Sequence, residues 1–155
     1  MHTAWWENSV RHRKLNYILF IFLIKFSCIQ IRFTFKPVEK LKSRKLIQQL
    51  FKEGKSFKNF PFRVIYFQPE KNLSHLQTAF SVSSKIFKKA VDRNRIKRLM
   101  REAYRLQKIP LQNELEIKGK YLAVFIIYTA NELPVYDSIS EKMAAALQHL
   151  EKIIR

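Results

Sequence analysis

Arg93, Asn94, Arg95, Lys97, Arg98, Arg101 and Arg105 fall within residues 93–105, where Glu102 is the single acid. Guanidinium groups are planar forks that bind phosphate oxygens in pairs, and an asparagine amide both donates and accepts. The chemistry these residues offer together is polyanion binding. Lys85, Lys88 and Lys89 extend the set upstream: residues 82–108 hold ten Lys or Arg against Asp92 and Glu102, a net of +8. Like charges at helical spacing destabilise an isolated helix by about 0.2–0.5 kcal/mol per pair. Folding alone does not explain that cost, and a bound polyanion would remove it.

The element that positions these groups is legible from its apolar residues. Ile96, Leu99, Met100 and Ala103 recur at the spacing of one helical stripe, which predicts an amphipathic helix with that stripe on a core. At about 100° per residue, Asn94, Arg98, Arg101 and Arg105 lie on the opposite side, with Arg93, Arg95 and Lys97 on the flanks.

No catalytic constellation accompanies this helix. His2, His12, His75 and His149 are scattered, and none stands at metal-ligand spacing with another ligand, so the sequence assigns no metal site. Gly54 and Gly119 are the only glycines, too few for a phosphate-cradling loop. Glu114 and Glu116 fall in a stretch that reads as a solvated polar connection after Pro110.

Composition bounds the rest. A chain of 155 residues suits one domain, and 47% hydrophobic content is enough to build a core. The formal charge of +18 calls for an anionic partner, nucleic acid or a membrane surface. Cys28 is the one cysteine; it permits no internal disulfide and fits a reducing, cytoplasmic setting. Residues 1–32 read as an extension outside the fold: their clean apolar run, 17–24, is far short of the ~20 residues of a membrane span. No small-residue cleavage site of a secretory signal follows it.

From residue 38 to 51 the apolar spacing predicts a first helix, ended by Gly54 at a C-cap. Residues 62–67 and 76–82 read as two strands joined in a hairpin, with Phe62, Val64 and Tyr66 on one face and Arg63, Ile65 and Phe67 on the other. Residues 121–129 are apolar on both faces and so read as a central strand. A last helix is expected from about Ser138, with Ser138 and Glu141 at capping-box spacing and Ile139, Met143, Leu147 and Leu150 as its buried stripe. The order helix, two strands, helix, strand, helix, with room for one further short strand, predicts a small α+β two-layer sandwich whose sheet is covered on one face.

Ser81-Val82-Ser83, Lys85, Lys88-Lys89-Ala90-Val91 and the run Arg93-Asn94-Arg95-Ile96-Lys97-Arg98-Leu99-Met100-Arg101-Glu102-Ala103 closely resemble the signature of the bacterial ribonuclease P protein component. The resemblance begins near Phe33-Thr34-Phe35-Lys36. It continues through Leu41-Lys42-Ser43, Leu50-Phe51-Lys52-Glu53-Gly54 and Phe62-Arg63-Val64, and runs to the C-terminus. It implies a domain over residues 33–155, with natural initiation near Ile29 or Ile31. The implied fold is like ribosomal protein S5 domain 2, with a left-handed βαβ crossover through the basic helix, where handedness rules alone give a right-handed one.

The resemblance also implies a division of labour. The protein has no catalytic residue or cofactor of its own; a partner RNA with bound magnesium removes the 5′ leader from precursor tRNA, and the protein assists. Arg93, Asn94, Arg95, Lys97, Arg98 and Arg101 match the family motif that contacts the ribonuclease P RNA, and Lys88, Lys89 and Arg105 are expected to join that contact, although plain solvent exposure accounts for Arg105 as well. Ile47, Phe51, Ile65 and Lys85 match a cleft that holds the leader of the precursor tRNA, and Arg63 and Phe67 share the face of Ile65. Ile47 stands where the family often has an aromatic, and Ser84-Lys85-Ile86-Phe87 replaces a Lys-Lys-x-Gly pattern. Stacking suits a sequence-tolerant reader of single strands, since every base has a π-face. No small-molecule substrate and no membrane partner are expected. The residues themselves leave open a structural RNA binder of the ribosomal type, a DNA binder and a peripheral membrane protein.

Overall fold

The computed structural model describes residues 34–72 and 74–155. The expected extension, residues 1–32, lies outside the described residues.

The chain enters through a short 3₁₀ turn, Pro37–Glu39, and then runs extended. Lys40 bridges to Thr78, and the Leu41 amide donates to the Thr78 carbonyl over 3.1 Å. The first helix, α1 (Arg44–Glu53), therefore starts six residues later than the apolar spacing predicts. The backbone of residues 40–41 is committed to a strand edge, and the Ser43 hydroxyl caps the helix by accepting from the Leu46 amide. Gly54 ends α1 as expected, but not through a left-handed conformation: its φ is −71°. A Cβ there would lie 2.1 Å from the Leu50 carbonyl oxygen, so the close backbone approach demands glycine.

Four strands follow: β1 (Lys55–Asn59), β2 (Phe62–Phe67), β3 (Leu76–Val82) and β4 (Leu122–Tyr128). They form one sheet in the order β1-β2-β4-β3. The expected hairpin between 62–67 and 76–82 is not made. β2 pairs antiparallel with β1 on one side and with β4 on the other, while β3 pairs parallel with β4. β4 takes an inner place because it is apolar on both faces: α2 and α4 bury one, and α1 covers part of the other. β1 is the further short strand; Phe57 is the only apolar residue in its sequence KSFKN, too weak a pattern to read without its partner.

Between β3 and β4 the chain crosses through α2 (Ala90–Gln107) and α3 (Ile109–Ile117). The polar connection expected after Pro110 is this second helix, which accepts proline in its first turn and buries Leu111 and Leu115. Gly119, at φ +61°, then turns the chain into β4. The last helix, α4 (Tyr136–Ile154), begins at Val135 without a side-chain cap, so Ser138 lies inside it and the expected capping box is not formed.

One sheet face, carrying Phe62, Val64, Leu76, Val124, Ile126 and Tyr128, packs against Ile96, Met100 and Ala103 of α2 and Ile139, Met143, Leu147 and Leu150 of α4. Those side chains are buried, as the helical stripes predict; Leu99 packs at the edge of the same core. The other face is partly covered by α1, whose Leu46 and Leu50 rest with Leu41 on Ile65 and Ala123.

Candidate nucleic-acid interface

Burying Ile96, Met100, Ala103 and Tyr104 turns the opposite side of α2 outward. Asn94, Arg95, Arg98 and Arg101 are exposed, and Arg93, Lys97 and Arg105 are half-exposed. Lys85, Lys88 and Lys89 are exposed in the turn between β3 and α2. The structure thus collects the expected basic residues on one surface running from that turn along the helix.

Two of these arginines have partners within the protein. The Arg93 Nη1 donates to the Phe87 carbonyl over 2.8 Å and to the Lys88 carbonyl over 2.7 Å. The Arg105 guanidinium makes a two-pronged pair with Glu102, donating from Nε over 2.9 Å and from Nη2 over 2.5 Å. That hydrogen bond holds the Glu102 carboxyl below the usual carboxylate range and pushes Arg105 up.

An open depression of about 800 Å³ lies beside this face, lined by Thr34, Phe35, Lys40, Arg98, Arg101, Glu102 and Arg105. Lys40 and Phe35 are members that the sequence does not single out. The spacing within α2 carries no information about a segment more than fifty residues upstream. What brings that segment here is buried: Lys108 pairs with Glu39 and donates to the Thr34 carbonyl over 2.8 Å, and Phe35 packs edge-on against Tyr104 and Phe80. The Lys40 ammonium lies 5.7 Å from the centre of the Phe35 ring.

A second surface forms where α1 lies across the sheet. In register, Arg63 stands opposite Ile127, Ile65 opposite Phe125 and Phe67 opposite Ala123, while Ala79 and Ser81 of β3 flank Phe125 and Ile127. Ile47 packs half-buried in this cluster with Phe67, Phe125 and Ile127. Phe51 is 53% exposed and meets Phe125 edge-on, ring centres 5.1 Å apart. Ile47, Phe51, Ile65 and Phe67 are therefore brought together, with Arg63 exposed at the end of the same face. Lys85 is exposed in the turn after β3, beyond Ser81, and touches none of them through a hydrogen bond or ion pair. Phe125 and Ile127 complete the surface. The sequence does not single them out, because a strand apolar on both sides does not reveal which side stays open.

Among the described residues, no group of three or more His, Cys, Asp or Glu is placed to hold a metal ion. His75 stacks on Tyr121, rings 4.8 Å apart and 4° from parallel, and His149 rests 4.4 Å from the Phe57 ring. Glu114 pairs with Lys118 and Arg155 on α3. Among the described residues no helix is long and apolar enough to cross a membrane.

Comparison with known proteins agrees with this geometry. The ribonuclease P family model matches residues 35–151. A ribonuclease P protein component of Porphyromonas gingivalis is 37% identical over 110 residues, 70% of this chain and 80% of that one. One from Staphylococcus epidermidis is 34% identical over 116 residues, covering 75% and 90% of the two chains. The solved RNase P protein from Thermotoga maritima superposes with a TM-score of 0.54 at 26% identity, over 72% of this chain and 96% of that one. With the basic helix, the four-stranded sheet and three-quarters of the length all matched, the chain belongs to the ribonuclease P protein component family.

Proposed function

We propose that this chain is the protein subunit of ribonuclease P and assists the endonucleolytic removal of 5′ leaders from precursor tRNA in the cytoplasm. The catalytic RNA, with its bound magnesium, supplies the chemistry; the protein supplies binding surfaces. The basic face of α2 holds the catalytic RNA, through Arg95, Lys97, Arg98 and Arg101 with Asn94, Arg105, Lys88 and Lys89. The surface between α1 and the sheet holds the single-stranded leader, with Phe51, Phe67 and Ile47 against bases and Arg63 and Lys85 against phosphates.

The observation that carries this reading is the large excess of positive charge on α2. The helix buries one stripe in the core and turns a cationic face to solvent with little internal neutralisation, and a polyanion is the partner that suits it.

The test is cleavage of a precursor tRNA by the cognate ribonuclease P RNA at low magnesium, with and without the full chain. Strong stimulation that yields the mature 5′ end is expected. No stimulation by the folded protein would leave a basic RNA-binding domain of another role. Bare affinity is a poor substitute, because a chain of charge +18 binds RNA indiscriminately at low salt.

A further inference from the structure

Arg93 opens the Arg-Asn-Arg run, yet its surroundings differ from those of Arg95, which is exposed to solvent. Both hydrogens of the Arg93 Nη1 are used on consecutive backbone carbonyls, Phe87 and Lys88, at 2.8 and 2.7 Å. Among the described residues no carboxylate pairs with it, so the carbonyls are what the charge faces. The turn it holds is anchored as far as Phe87. Phe87 is buried, its ring 6.1 Å from that of Tyr128, and its amide donates to the Ser83 carbonyl over 3.0 Å. Beyond Phe87, the exposed Lys88 and Lys89 lead into α2, whose N-cap residue Lys89 makes no side-chain capping bond. Two lysines side by side repel each other and carry long, freely rotating stems, so an unanchored backbone would spread their ammonium groups over many positions.

We infer that Arg93 is a positioning residue, which fixes the backbone beneath Lys88 and Lys89 and thereby aims these two cations at RNA, rather than a direct phosphate ligand. The inference rests on the proposed function in taking RNA as the partner. Each bond is charge-assisted, and so stronger than a neutral hydrogen bond to the same carbonyl. The arrangement explains why an arginine is suited here: one nitrogen reaches two successive carbonyls.

The test uses the full chain, the cognate ribonuclease P RNA and the variants Arg93→Met, Arg95→Met and Lys88→Ala with Lys89→Ala. Arg93→Met keeps the stem and removes the donors; thermal unfolding reports whether the fold survives, and Arg93→Ala serves if the thioether disturbs packing. In the RNA-free protein, backbone NMR order parameters at residues 88 and 89 should fall from about 0.85 toward about 0.6 in Arg93→Met and stay unchanged in Arg95→Met. In RNA binding, Arg93→Met should flatten the dependence on salt by close to the amount the double lysine change does, up to about 0.9 for each phosphate no longer neutralised. Adding the lysine changes to Arg93→Met should then lower affinity further by less than about threefold, because the cations are already misplaced. Additive losses in that cycle, or unchanged order parameters at 88 and 89, would overturn the inference. If the unaltered chain fails to bind the RNA at moderate salt, the proposed function fails, and the order parameters alone judge the positioning role.

Discussion

Lys108 and Glu39, 69 residues apart in sequence, form an ion pair in which both side chains are almost wholly buried, at 4% and 8% exposure. The pair joins the entry segment to the junction of α2 and α3, and the Thr34 carbonyl and the Lys36 amide fill further bonding capacity of the two charges. Removing one member leaves the other charge buried without its partner. Lys108→Met is expected to destabilise the fold by about 3–5 kcal/mol, and Lys108→Met with Glu39→Leu to recover most of that loss. Urea unfolding of the single and double variants measures both; a double variant no better than the single would show that the pair's charges do not depend on each other.

Tyr104 accepts a 2.8 Å hydrogen bond from the Thr78 hydroxyl beneath α2, and burial pushes its phenol well above the ordinary value of 10.0. In the folded state it stays protonated where the unfolded chain ionises. Stability from this group is therefore complete below about pH 10 and falls by about 1.4 kcal/mol per pH unit as pH rises from there toward the folded value. Tyr104→Phe should flatten that part of the alkaline decline, at the expense of about 1–3 kcal/mol at neutral pH for the unpartnered Thr78 hydroxyl. Chemical denaturation at pH 8, 10 and 11 reads both effects. Tyr128, raised by burial in the same sense, leaves a residual slope.

Phe51 covers little core and is half-exposed over Phe125. Phe51→Ala should lower stability by about 1–3 kcal/mol, the ring pair adding to the area that the half-buried ring covers. If its ring stacks on a leader base, affinity for precursor tRNA should fall by about 1–3 kcal/mol, roughly five- to 150-fold, with mature tRNA unaffected. Equal losses for both RNAs would trace the effect to packing instead.

Glu102 is the acid that engages Arg105 on the cationic face of α2. Glu102→Gln removes a negative charge and weakens the two-pronged pair. RNA affinity should rise a few-fold at moderate salt, with a steeper salt dependence by up to about 0.9, while stability changes little because the pair is exposed. A fall in affinity would mean that Glu102 aims Arg105 rather than competing for it.

Much of this protein is determined locally, and that part is legible in the sequence. The stripe Ile96, Met100 and Ala103 and the stripe Ile139, Met143, Leu147 and Leu150 settle two helices and which of their faces is buried, since the 3.6-residue period is a property of the chain itself. The same period sends Asn94, Arg95, Arg98 and Arg101 outward, and alternation separates Phe62 and Val64 from Arg63 and Ile65. Strand order is not legible. Hairpin signals describe neighbours in sequence, whereas the place of β4 between β2 and β3 depends on burying a strand that is apolar on both faces, a condition of the assembled sheet. Phe125 and Ile127 join the α1 surface for that reason alone. Only tertiary structure decided that Lys108 and Glu39 tie the entry segment beside α2, and that Arg93 turns back to the carbonyls of Phe87 and Lys88. A periodic pattern specifies which way a side chain points from its helix. It cannot specify which backbone atoms the rest of the chain will bring within reach.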